Sequence, residues 1–113
     1  MPSGAVKRDQ RLRKSADFQR VRDLDRRGRA HPLVVVYMAP NDHGSTRVGI
    51  TVSRRVGGAV TRNRVRRRLR ELLTACFDQL PCASDVVVTA RPGAASASWA
   101  ELSAAVETLI KGR

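Results

Sequence analysis

Apolar positions along the 113 residues recur with two periods, one helical and one strand-like. Phe18, Val21 and Leu24 fall at helical spacing. Ser15 is placed to cap them, Asp17 suits the first turn, and Gly28 suits the position past the end, so a helix is predicted over about 16–27. Leu33 to Ala39 is an apolar, β-branched run between Pro32 and Pro40, residues that fit strand ends but not a central ladder. Arg47 to Ser53 alternates, with Val48, Ile50 and Val52 on one face. The turn-rich stretch 41–46 between these two runs predicts an antiparallel hairpin with a long loop, and Arg29 to His31 predicts a short strand before it.

Gly57 and Gly58 then break the chain ahead of a long helix. From Val65 its apolar stripe continues through Leu69, Leu72, Leu73, Cys76, Phe77 and Leu80, and Pro81 ends it. Asp85 to Arg91 reads as a buried strand stopped by Pro92-Gly93. Ser98 and Glu101 have capping-box spacing ahead of Leu102, Ala105, Val106, Leu109 and Ile110. The order is that of a single α+β domain, an αβββαβα sandwich with a small mixed sheet. Residues 1–13 lack periodicity and are expected to form a loose basic arm.

Charge changes this picture at one place. Formal net charge is +12, spread unevenly: residues 1–42 carry +5, residues 43–70 carry +9 with no acid, and residues 71–113 carry −2. Arg62, Arg64, Arg66, Arg67, Arg68 and Arg70 share one helix with no carboxylate before Glu71. Like charges at this spacing destabilise an isolated helix by about 0.2–0.5 kcal/mol per pair. At 100° per residue, Asn63, Arg64, Arg67 and Arg70 lie opposite the apolar stripe, with Arg66 and Arg68 on its flanks. A solvated helix face mixes signs; this one does not, which points to a polyanion, and to nucleic acid first.

Catalytic sets are missing. His31 and His43 are isolated in turn-like surroundings, and no Ser-His-Asp arrangement or phosphate loop is present. Asp23 and Asp25 could approach a metal, but neighbouring helix carboxylates are more often solvated or salt-bridged, so no metal is assigned. Cys76 and Cys82 read as reduced thiols of a cytoplasmic protein, and no apolar run is long enough to cross a membrane. Phe18 and Tyr37 are candidates for stacking on unpaired bases. Trp99 reads as a packing residue.

The stretch RVGITVSRRVGGAVTRNRVRR, Arg47 to Arg67, resembles the protein subunit of bacterial ribonuclease P. It carries that family's strand, basic loop, Gly-x-Ala-Val turn and Arg-Asn-Arg helix in continuous register. Leu12 to Phe18 and Asp85 to Arg91 resemble its opening helix and last strand. The resemblance implies a left-handed βαβ crossover (the ribosomal protein S5 domain 2-like arrangement), with strands 47–53 and 85–90 as parallel neighbours. It implies a monomer in a one-to-one ribonucleoprotein whose RNA, with Mg²⁺ bound mainly by that RNA, removes the 5′ leader of precursor tRNA. No residue of the chain would be catalytic.

The same resemblance implies that Arg62, Asn63, Arg64, Arg66, Arg67 and Arg70 bind the catalytic RNA. Phe18, Arg54 and Arg55 would approach the leader or the catalytic RNA, and Arg22 and Val36 would meet the leader at two positions where many members carry an aromatic. Adjacent strand residues face opposite sides, so Tyr37 is not expected to replace the ring missing at 36. The competing class is a basic ribosomal or DNA-binding protein using the same helix, although no heptad seam for a dimer is visible.

Overall fold

The computed structural model describes residues 10–111. Its elements are α1 (Ser15–Leu24), β1 (Arg29–Ala30), β2 (Val34–Pro40), β3 (Arg47–Val52), α2 (Ala59–Ala75), β4 (Ser84–Ala90) and α3 (Trp99–Lys111). Three valines in β4 explain the topology. Val86, Val87 and Val88 are all fully buried, so both faces of this strand are covered, and a strand of that kind belongs in the middle of a sheet. The observed order is β1-β2-β4-β3. β4 pairs antiparallel with β2, from Val34↔Ala90 to Pro40↔Ser84, and parallel with β3, from Arg47↔Asp85 to Val52↔Ala90.

The parallel β3–β4 pair agrees with expectation, but the hairpin does not. β2 and β3 are not neighbours, because β4 lies between them. A direct hairpin would have left the doubly apolar β4 at an edge.

The helices divide the two faces of the sheet. Val34, Val36, Val48, Val52, Val86 and Val88 pack with Val65, Leu69 and Leu73 of α2 and Leu102 and Val106 of α3 in one cluster. Each such side chain contributes about 1.5–3 kcal/mol on burial. The opposite face holds a smaller cluster of Leu12, Val21, Ala39 and Val87, with Phe18 and Tyr37 half-buried against it. Among the described residues α1 is the one helix on this side, and Tyr37, Thr51 and Thr89 stay partly open to solvent.

Local chemistry sets the ends of α1. Ser15 lies inside the helix rather than capping it; the cap position is Lys14, without a side-chain hydrogen bond. The helix stops at Leu24, short of the predicted end, because the Asp25 carboxylate turns to accept the backbone N–H groups of Met38 (3.0 Å) and Gly28 (3.3 Å). Gly28, at φ +61°, lies under Tyr37, where a Cβ would come within 2.8 Å of the ring. The α3 capping box forms as expected: Ser98 N–H donates to Glu101 Oε1 at 2.8 Å, and Glu101 N–H donates to Ser98 Oγ at 3.1 Å.

Of the expected loose arm, residues 1–9 lie outside the described residues. Its last part is docked: Leu12 is buried and its N–H donates to the Val48 carbonyl at 2.7 Å, along the outer edge of β3.

Candidate nucleic-acid interface

The chain enters α2 through Gly57 and Gly58, and the first helical turn carries no acidic residue. Val60, in that turn, is 84 % exposed, an apolar side chain held out among arginines. Among the described residues, the partners of the arginines that follow are neutral. Arg62 Nε donates to the Gly57 carbonyl (3.2 Å), Arg64 to that of Ala95 (3.1 Å) and Arg68 to that of Ala97 (3.1 Å). Arg66 donates to Asn63 Oδ1 at 2.9 Å, which fixes the amide beside the guanidinium. Arg67 and Arg70 are exposed. Among the described residues, no carboxylate lies within ion-pair distance of any α2 arginine. The helix is thus oriented by its apolar stripe and by backbone carbonyls, while its positive charge stays uncompensated.

The residues expected to meet a leader separate into two groups. Phe18 rests on β3 at Gly49, where a Cβ would lie 2.5 Å from the ring; the glycine makes room for the aromatic. Arg22, one helical turn on, donates to Thr51 Oγ1 at 3.4 Å, and Thr51 shares a 2.7 Å hydroxyl contact with Thr89 on β4. Arg54 and Arg55 are exposed on the 3-10 turn after β3. Val36, in contrast, is fully buried in the cluster under α2 and α3. It faces away from Phe18 and cannot touch a leader there, so this assignment is corrected. The pleat puts Tyr37, opposite to Val36, on the Phe18 face.

Sequence reasoning missed a third site altogether. Asp85, 0 % exposed at the start of β4, receives four donors. Arg47 grips it through Nε (2.9 Å to Oδ1) and a terminal nitrogen (2.8 Å to Oδ2), Asn41 donates to Oδ1 at 2.8 Å, and Arg20 of α1 reaches Oδ2 at 3.2 Å. Arg47 also lies 3.9 Å from Asp17 of α1. Burial pushes the Asp85 carboxyl up, but the hydrogen bonds from Arg47 and Asn41 and the charges of Arg47 and Arg20 outweigh it, so it is held below the usual carboxylate range. Hydrogen bonding to Asp85 raises the Arg47 guanidinium in return. No periodicity signals such a group; the only hint was an acid directly ahead of a continuous apolar run.

Among the described residues, no three His, Cys, Asp or Glu side chains gather where they could hold a metal ion. Asp23 accepts a hydrogen bond from Gln19 at 2.9 Å, and Asp25 is engaged by backbone amides, so this pair is committed to α1 and its exit. Cys76 is buried, with burial pushing its thiol up, and Cys82 is exposed; both are free. No helix among the described residues is long and apolar enough to cross a membrane.

A mixed sheet covered on one side by two helices, half open on the other, and flanked by an uncompensated arginine helix defines a protein built to hold a polyanion. Comparison with known proteins narrows that class. The sequence matches the family described as Ribonuclease P over residues 6–112. It is 45 % identical over 104 residues to the ribonuclease P protein component of Acidothermus cellulolyticus, covering 88 % of this chain and 84 % of that one. It is 39 % identical over 106 residues to that of Herpetosiphon aurantiacus, covering 94 % and 85 %. The fold superposes on the Staphylococcus aureus RNase P protein with a TM-score of 0.82 at 32 % identity, over 90 % of this chain and 93 % of that one. For the Thermotoga maritima protein the values are 0.79 and 26 %, over 89 % and 94 %. The chain belongs to the bacterial ribonuclease P protein family, the protein subunits of an RNA-based endoribonuclease.

Proposed function

We propose that α2 docks the catalytic RNA of ribonuclease P, while the half-open sheet face beside α1 receives the 5′ leader of precursor tRNA. The observation that carries this reading is the unpaired charge of α2. Arg62, Arg64, Arg66, Arg67 and Arg70 have no carboxylate partner among the described residues, and RNA phosphates supply the missing anions. Asn63, aligned with Arg66, adds hydrogen bonds to sugar or base edges.

On the other face, Phe18 and Tyr37 offer rings to unstacked bases. Arg22, held by Thr51, offers a guanidinium where a second ring is absent, and Arg54 and Arg55 meet phosphates at the end of β3. Hydrolysis is the work of the RNA and its Mg²⁺; this chain's residues bind and orient substrate and RNA. One monomer per RNA, in the cytoplasm, fits this reading.

The test is cleavage of precursor tRNA by the catalytic RNA at low Mg²⁺, with and without the protein. Stimulation is expected. A rate unchanged by the protein would favour a basic ribosomal or DNA-binding role instead.

A further inference from the structure

A cavity of about 100 Å³ wraps the outer edge of β3 between α1 and α2. Its walls are Leu12, Phe18, Ile50 and Leu73, and its two charged lining residues are Arg11 and Arg70. Among the described residues, no carboxylate lines it. β3 is an edge strand. The Val48 carbonyl accepts from Leu12 and so points outward; Ile50, two residues on, points its N–H and C=O the same way, with no strand of the described residues beside it. The site therefore offers an aromatic ring, an apolar slot, an uncovered backbone edge and two guanidiniums. A nucleotide combines the complementary features: a flat apolar face, hydrogen-bonding edges and a phosphate.

We propose that this cavity receives one unstacked base of the catalytic RNA, with Arg11 and Arg70 on its flanking phosphates. The inference rests on the RNA-binding reading of α2 and adds to it a discrete base pocket. The catalytic RNA is the occupant, not the leader, because both cations come from the α2 face and the arm. The leader face, with Tyr37, Thr51 and Arg22, contributes none of the described lining of the cavity, and Phe18 is the residue the two share. Phe18 then acts as a partition, presenting itself to both RNAs.

The test fills the slot without changing charge. Ile50→Phe should weaken binding of the protein to the catalytic RNA by about ten-fold, the loss of one stacked base, while the slope of affinity against salt stays unchanged. Melting of the RNA-free protein verifies its fold. Arg11→Gln, at an exposed position, is the second variant; it should lower the magnitude of the salt slope by about one. A base-analogue fluorophore at the inserted position of the RNA should be quenched by the wild type and not by Ile50→Phe. Wild-type affinity in a folded Ile50→Phe protein, or an unchanged slope in Arg11→Gln, overturns the pocket. A loss confined to precursor tRNA, with assembly intact, overturns the choice of catalytic RNA as occupant. Failure of the wild type to stimulate cleavage at all would instead strike the underlying functional reading.

Discussion

The arginines around Asp85 and those on α2 are the same residue in opposite circumstances. Arg47 and Arg20 converge on one buried carboxylate, which ties α1, β3 and β4 together at a single point. The α2 arginines meet carbonyls and an amide but no anion among the described residues. The first group completes its electrostatics inside the fold; the second leaves its electrostatics to a partner. Removing charge from the first should therefore damage stability, and removing it from the second should damage binding.

The largest effect is expected at Asp85. Asp85→Asn leaves Arg47 largely buried without its counter-charge, a change of about 3–5 kcal/mol when a buried pair is broken. Urea denaturation of the RNA-free protein measures it; a loss below about 1 kcal/mol would place the clamp with ordinary surface pairs. Acid provides the same comparison without mutation. The Asp85 carboxyl is lowered in the folded state, so its contribution is complete above the unfolded carboxyl value of about 3.9 and is lost as pH falls through the lower folded value. Stability of the wild type should fall in that window, and that of Asp85→Asn should fall less. A parallel decline in both proteins would detach acid sensitivity from this site.

Phe18→Ala is expected to weaken precursor tRNA by about 1–3 kcal/mol if a base stacks on the ring. Mature tRNA, which lacks a leader, supplies the baseline, and the holoenzyme is saturated so that assembly does not enter. Because the ring also packs on Gly49, melting must be followed in parallel. Equal loss for precursor and mature tRNA would remove the leader from this face.

The smallest stability effect belongs to Arg67→Ala, within about 0.5 kcal/mol for an exposed position. Its binding effect sharpens the contrast. With about five to seven phosphate contacts at 0.7–0.9 each, the log–log salt slope for the catalytic RNA should be of order −4 to −6, and Arg67→Ala should reduce its magnitude by about one. A slope near zero would mean that α2 is not the RNA face.

The sequence made α2 and α3 legible because each carries a long stripe of helical period, and α3 also has a capping box realised bond for bond. The strand order was hidden. The turn-rich loop between 33–39 and 47–53 suggests local pairing, and nothing local reveals that residues some forty positions on will part the two strands. The continuous Val86-Val87-Val88 run was the available sign, since such runs mark strands covered on both faces. The facing of Val36 and Tyr37 was equally hidden: Val34, Val35 and Val36 are all apolar, so alternation could not fix the register. On α2 the outward arginines were readable from helical geometry alone. The partnership at Asp85 was not, because it joins α1, the β2–β3 connection, β3 and β4 through side chains distant in sequence.

The central place of β4 bears on how the chain is made. Its two long neighbours, β2 and β3, are synthesised well before it and touch each other nowhere in the finished sheet. Until residue 90 has left the ribosome, neither has its main partner, and the valines under α2 have no floor to pack on. Pairing across such separations is slow and leaves apolar edges open meanwhile. The arginine helix is complete before β4 exists, so for part of every synthesis the most basic segment of the chain hangs beside an unfinished fold.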